Sequence, residues 1–443
     1  MSQDQHNEGK EDHVHYHGVD KAEQHVSVRE ALSILLESIR PTKPETVSMP
    51  QSAGRILSED VISPQNLPKL ARSTRDGYAV NISAAIENDT EYHAFKIVGE
   101  AKIGEAPDIE VRPGQAVRVA TGSHLPSGAN AVIMIEYSNV EKDILRIAHP
   151  LRIGENIVDS GEDLKKGDLL LTKGSRVHPQ HIALFSMLGV NRLHVFSKPR
   201  VAIFSTGDEL EDPFSWKKTG RKKPSRDALA TFDSNRPFLS SMLAELGAEA
   251  IDLGIAKDNF REIRAKFQKA LKFDAVFLSA GSSVGERDFA SKALESISGA
   301  KSLVHGVAMR PSSPTGLSSF KGKPVILLPG FPTSAIVSFF VFGRPTVLKL
   351  AGSSSIEPPM IHATMRDEYN GKRGITHFLR VRLVKEGDAY FATIAKPTEA
   401  QFSSWLRIAN GIAIIGENGN TVVKPGDEVS AFLIGEILEE KTS

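Results

Sequence analysis

The chain has 443 residues, too many for one compact core, so roughly two to four domains are expected. Lysine plus arginine equals aspartate plus glutamate at 54 each, which excludes a global positive field for gathering nucleic acid or anionic lipid. The absence of cysteine excludes disulfides, thiol nucleophiles and thiolate metal sites.

Residues 1–25 are polar and hold His6, His13, His15, His17 and His25. This composition predicts a disordered tail, although HVHYH offers alternate imidazoles to a metal if extended. No apolar signal core precedes it and no stretch approaches the ~20 apolar residues of a membrane span, so a cytoplasmic protein is expected. Ser27 is an N-cap candidate with Glu30 three residues on, and VREALSILLESI has helical spacing up to Pro41.

From Ser52 to Ser160 short strand signals such as GQAVRVATG and AVIMIEY alternate with turns such as LPSGAN. A glycine-punctuated strand then leads into a helix from about Pro179. Near Pro199 the pattern changes. RVAIFSTG, AEAIDLGIA, FDAVFLSAG and PVILLPG read as strands, with FLSSMLAELG, NFREIRAKFQKALK and PTSAIVSFFVFGRPTVLKLAG as helices. Such alternation predicts an α/β domain with a mostly parallel sheet, whose ligands lie beyond the carboxyl ends of the strands. After about Glu357 the pattern is all-β again, with HFLRVRLV, YFATIAK, GIAIIG and DEVSAFLI.

The loops STGDE, SAGSSVGERD and LLPGFPTS fall at those carboxyl ends. Small residues there let backbone N–H groups approach an anion. Carboxylates accompany them: Asp208, Glu209, Asp233, Glu286 and Asp288, with Asp76, Glu162 and Asp163 upstream. Each is as readily a turn former as a ligand, but several converging on a phosphate would hold Mg²⁺. Thr121 and Ser123 are either oxyanion donors or parts of a turn. The basic run Lys217, Lys218, Arg221, Lys222, Lys223 and Arg226 is either a solvated loop or an anion collector. Sparse aromatic residues argue against RNA binding. Met309 and Phe331 are expected to be packing residues. No Walker sequence, serine-hydrolase elbow, zinc signature or dinucleotide fingerprint occurs.

RDGYAV, RVATGSHLPSGANAVIM, GEDLKKGD, RVAIFSTGDEL, DSN, SAGSSVGERD, HGVAMRP, LPGFPTSA and ANGIAII follow one another in this order. Over roughly residues 27–437 the chain thereby resembles the molybdopterin molybdenumtransferase family, which includes the gephyrin E domain. The resemblance implies a multidomain α/β homodimer. Its parts would be a linking domain from residues 26–60 and 161–198, a β-rich domain over 61–160, a molybdopterin-binding α/β domain over 199–352, and a β-barrel over 353–443. It also implies insertion of molybdate or tungstate into adenylylated molybdopterin with release of AMP, Mg²⁺ as cofactor, an active site involving both subunits, and contact with the molybdopterin adenylyltransferase. A noncatalytic pterin-binding paralogue or scaffold is the alternative.

Carried over residue by residue, the catalytic group is Asp76, Thr121, Asp163, Glu209 and Asp288. The pterin and phosphate group is Thr206, Gly207, Asp208, Ser279, Gly281, Ser282, Ser283, Gly285, Arg310, Pro329, Gly330, Pro332 and Ser334. The metal group is Glu209, Asp233, Glu286 and Asp288. The chain departs from the family at SAG for SGG, at Arg310 and Ser313 for two lysines, at Phe331 in the PGNP turn, and at LARSTR before DGYA.

Overall fold

In the computed structural model the chain forms two compact units. One holds residues 40–199 with 348–356, the other residues up to 39, 200–347 and 357 onward. The structure describes residues 26–83, 93–105, 107–214, 231–280, 284–396, 403–416 and 419–439. The His-rich tail and the basic run at 217–226 lie outside the described residues.

The first helix, α1 (Val28–Glu37), is capped by Ser27, whose side chain accepts from the Glu30 N–H at 3.2 Å. Its buried stripe of Ala31 and Leu35 continues to Ile39. The resemblance assigns α1 to the linking segments. In the structure α1 groups by its contacts with the α/β unit, where Val26 bridges Val307 and the Ala308 N–H bonds the Val26 carbonyl. An apolar stripe has to be buried somewhere, and here the edge of the α/β sheet receives it.

In the first unit, strand β1 (Pro44–Ser48) pairs antiparallel with β8 (Arg192–Phe196). Between them in sequence lie β2 (Gly77–Val80), β3 (His93–Ala101), β4 (Gln115–Val119), β5 (Ala131–Met134), β6 (Ser138–Glu141), β7 (Ile144–Ile147) and helix α2 (Pro179–Met187). Leu57, Val177, Phe185, Leu193 and Val195 form one core beneath β1 and β8, drawn from both chain segments. Strands β2–β7 make a six-stranded sheet in the order β5-β2-β4-β3-β7-β6. All of β2 is buried, because apolar clusters cover both of its faces: Tyr78 and Val80 on one, Ala79 on the other. A Cβ on Gly77 would come 1.8 Å from the Ile133 carbonyl oxygen, so only glycine lets β2 and β5 close.

The second unit carries β9 (Arg200–Thr206), α3 (Asn235–Glu245), β10 (Glu249–Ala256), α4 (Phe260–Ala270), β11 (Ala275–Ala280), α5 (Val284–Glu295), β12 (Ala300–His305), β13 (Gly316–Phe320), β14 (Lys323–Pro329) and α6 (Pro332–Ser338). The sheet order is β10-β9-β11-β14-β13-β12; the first three pairings are parallel and the last two antiparallel. The central strands are continuous apolar runs because helices cover both faces. Phe204, Phe267, Leu278 and Leu294 fill one side, and Phe339 stacks edge-on against Phe238 and Phe277 on the other. The single helix expected over PTSAIVSFFVFGRPTVLKLAG is interrupted by a π-turn at Phe339–Gly343, just before Pro345. Proline has no N–H to donate to the preceding turn, so the backbone widens there.

The chain ends in β15 (Met360–Met365), β16 (Thr376–Glu386), β17 (Ala389–Ile394), β18 (Gly411–Ile415) and β19 (Glu428–Leu433). Successive pairings β16-β17-β15-β19-β18 return to β16 and close a five-stranded barrel around Val381, Leu383, Ala392, Ala413 and Ala431. Closure leaves these five strands without an open edge. Trp405, fully buried, joins the barrel to the α/β layer by donating from Nε1 to Thr333 Oγ1 at 2.7 Å.

Gly77→Ala is expected to cost ~3 kcal/mol, because overpacking against a paired strand's backbone leaves little room to relax. Urea unfolding of the purified protein measures this, and a loss well under ~1 kcal/mol would show that β5 can move aside.

Candidate active site

Strand register brings the predicted loops to one edge. Ser205 is level with Ser279, and Ala280 with Pro329. The segments after Thr206, Ala280 and Pro329 therefore leave the carboxyl ends of three adjacent parallel strands, where open α/β sheets bind ligands.

Asn235, absent from the predicted site, ties two of these ends together. Its Nδ2 donates to Ser279 Oγ at 2.7 Å and to the Gly330 carbonyl at 2.8 Å, and the residue is only 5% exposed. The DSN segment signals a helix start before an apolar run. The bridge to residues far along the chain has no local signal.

Asp233 sets the start of α3. Its Oδ1 accepts the N–H groups of Asn235 and Arg236 at 3.1 and 3.2 Å, and its Oδ2 takes Arg236 Nε at 2.6 Å. Arg236 Nη1 also reaches both oxygens of Asp252 at 2.7 Å, and Nη2 lies 3.6 Å from Asp212. Burial works against the guanidinium charge, but the hydrogen bonds it donates to Asp252 and Asp233 overcome this and raise the pKa. Both oxygens of Asp233 are thus engaged inside the fold, and the metal role expected of it does not fit this geometry.

The loop after β9 divides its carboxylates. Asp208 is held by Lys257 Nζ at 3.8 Å and exchanges backbone-to-carboxylate hydrogen bonds with Asp258 at 3.1 and 3.4 Å. Glu209 is exposed, and its two carboxylate oxygens lie 2.8 Å from where a Gly207 Cβ would stand. A Cβ at 207 would make that carboxylate shift. The Thr206 hydroxyl is buried and has no hydrogen-bond partner among the described residues.

Arg310 is exposed beside β16, paired with His377. Burial pushes the nearby Tyr369 phenol up, against the opposing charges of Arg310 and Arg380. The residues after Arg310 serve the scaffold. Ser312 Oγ donates to the Ser334 carbonyl at 2.7 Å, and Thr315 Oγ1 bonds the Ser312 carbonyl at 2.8 Å and Ser338 Oγ at 2.5 Å. Pro329, Gly330 and Pro332 form the turn into α6, and Ser334 is buried beneath it. Met309 is buried, as a packing residue should be, whereas Phe331 is exposed. Gly281, Ser282 and Ser283 lie outside the described residues. Gly285, Glu286 and Asp288 lie in α5, where the side chains of 284–288 are not described.

Asp76, Thr121 and Asp163 belong to the first unit. The Thr121 N–H donates to Asp76 Oδ1 at 2.7 Å, and this bond, then one from the Thr121 side chain, holds the Asp76 carboxyl below its ordinary value despite some desolvation. Ser123 is buried in the same turn. Its Oγ accepts from the Ala120 N–H and donates to the Ala101 carbonyl, so it is a turn former rather than an oxyanion donor. Asp163 is exposed, in a segment whose N–H bonds the Leu67 carbonyl at 3.1 Å.

A model of the MoeA N-terminal region (domain I and II) matches residues 26–189, and one of a probable molybdopterin binding domain matches residues 202–349. A molybdopterin molybdenumtransferase of Haemophilus influenzae is 32% identical over 91% of this chain and 98% of its own. One of Staphylococcus epidermidis is 27% identical over 94% of each. The crystal structure of the molybdopterin biosynthesis moeA protein from Pyrococcus horikosii aligns with a TM-score of 0.80 at 30% identity, over 93% of this chain and 100% of its own. No helix among the described residues is long and apolar enough to cross a membrane.

Arg236→Met is expected to cost about 3 kcal/mol or more, since it strands Asp233 as a buried charge; a melting temperature equal to wild type would refute the coupling. Asp76 has a pKa depressed from 3.8, so its contribution to stability is complete above that value and is lost as pH falls through the lowered one. Asp76→Asn is therefore expected to be less stable than wild type at neutral pH, with the gap closing in acid. Urea unfolding at several pH values reads this, and a gap that does not change with pH excludes the Thr121 bond as its source.

Proposed function

Because the chain belongs to the molybdopterin molybdenumtransferase family, we propose that it inserts molybdate, or tungstate in its place, into adenylylated molybdopterin and releases AMP. The supporting observation is the exposed Glu209 carboxylate at the sheet edge where Asn235 joins the Ser279 and Gly330 loops. It is a hard oxygen donor beside strand ends whose small residues admit an anion.

Glu209 fits a divalent cation and Asp233 does not, as the engaged oxygens of Asp233 indicate. The family resemblance proposes Asp288 and Glu286, on the first turns of α5, as the further donors. Mg²⁺ bound there supplies neutralisation of charge on the phosphoanhydride. The residues of the chain do the rest. Thr206, Gly207, Ser279 and the Gly281–Gly285 segment bind the phosphate and pterin portions. Glu209 and Asp288 orient the water that attacks phosphorus, and one carboxylate takes its proton as the anhydride bond breaks. The family resemblance also proposes catalytic roles for Asp76, Thr121 and Asp163, which belong to the first unit. The same reading makes the protein a homodimer that receives its substrate from the molybdopterin adenylyltransferase.

A second reading, a pterin binder without turnover, draws on one observation. Where the family carries its second lysine this chain has Ser313, whose backbone carbonyl takes the Val307 N–H, and the neighbouring Ser312 is fastened to Ser334, so this stretch brings no second cation.

Purified protein supplied with adenylylated molybdopterin and Mg²⁺ should release AMP in an oxyanion-dependent manner, and comparison of molybdate, tungstate and neither identifies the metal. Pterin binding without release under any of these conditions favours the second reading. Glu209→Gln and Asp288→Asn should each slow release by about a hundredfold or more; rates equal to wild type would remove that residue from the site.

A further inference from the structure

We propose that Phe331 is a stacking residue that receives a flat heteroaromatic ring of the substrate, and so sets specificity at the turn between β14 and α6. This role rests on the transferase reading above. The shared chemistry is a planar, electron-poor ring of the size of a pterin or a purine.

The turn is tied down on every side of the phenylalanine. The Gly330 carbonyl accepts from Asn235 Nδ2 at 2.8 Å. The Phe331 carbonyl accepts the Ala335 N–H at 2.9 Å, and Thr333 Oγ1 accepts from Trp405 Nε1 at 2.7 Å. Thr333 and Trp405 are both fully buried. Pro332 restricts its predecessor to extended backbone, and Phe331 has ψ 129°. The backbone beneath the ring is therefore held by groups from α3, α6 and the segment before β18.

The ring itself does the opposite of its surroundings. It is 42% exposed and makes no ring contact with another aromatic among the described residues. Met309, which the sequence likewise marks for packing, is 1% exposed. An exposed ring on a fixed turn leaves apolar area in water until a flat partner covers it, and holding it there loses little conformational freedom on binding.

Its location supplies the partner. Pro329 ends β14 level with Ala280 of β11, so Phe331 follows immediately from the edge where the Ser279 and Thr206 loops emerge. The common PGNP turn carries asparagine at this position, which offers hydrogen bonds but no π-face. Phenylalanine exchanges directional polar contact for stacking, which tolerates changes at the ring edge.

The test is binding of two separate probes to the full-length protein by calorimetry: AMP for the adenine ring and molybdopterin for the pterin ring. Phe331→Leu keeps an apolar side chain and removes the π-face; Phe331→Trp keeps a face. The exposed position makes both variants compatible with folding, which circular dichroism verifies. Phe331→Leu should weaken one probe about tenfold or more, and Phe331→Trp should retain wild-type affinity for the same probe, which identifies the ring. Wild-type binding that Phe331→Leu leaves intact overturns the stacking role and spares the transferase reading. Equal losses in both variants also overturn it, because shape rather than a π-face would then decide. If Phe331→Leu changes only the association state in sedimentation, the ring belongs to a protein contact and the proposal fails. Wild-type protein that binds neither probe overturns the transferase reading and the stacking role together.

Discussion

One buried amide holds the carboxyl edge of the sheet in register. Asn235 uses both protons of Nδ2 at once, one on a serine hydroxyl of β11 and one on the carbonyl just past β14. Were either loop to drift, a buried donor or acceptor would lose its partner and its desolvation would go uncompensated. Asn235 can do this only because Asp233 and Arg236 fix the start of α3, and Arg236 is itself held by Asp252 on β10. The edge strand, the helix and the two candidate loops are thus parts of one hydrogen-bonded unit.

The same economy explains which carboxylates are free to act. The chain carries no net charge, so each acidic group is defined by its neighbours rather than by a long-range field. Asp233 is consumed by a buried ion pair, whereas Asp208, beside Lys257 and Asp258, and Asp76, bonded to the Thr121 amide, both stay exposed. Glu209, one residue from Asp208, is exposed beside Gly207. Adjacent residues of the same charge therefore have different uses, and the difference lies in what β10 and its following loop present to them.

The barrel contributes to the site from behind. Trp405 reaches from the segment before β18 to Thr333 on α6, and it packs against Ile336, Phe238 and Phe340. The Ser312–Thr315 loop meets α6 through Ser334 and Ser338. The helix beneath the PGFP turn is consequently held by two elements that carry none of the expected phosphate loops. Ser312 is legible in these terms, as a small buried hydroxyl bonded to α6.

The sequence by itself determined the alternation of strands and helices, the closing all-β region, the Ser27 cap and the three loops at the strand ends. These are local: they follow from periodicity, caps and turn residues that act over a few positions. Motif order was sufficient for the family as well. Only the tertiary structure decided that α1 serves the α/β unit, that Asn235 rather than a loop residue joins the edge, that Asp233 is spent while Glu209 is exposed, and that Phe331 projects outward while Met309 is buried. Each of these depends on a partner distant in the chain, and a residue's type fixes what it can bond to without fixing which distant group the fold will bring to it.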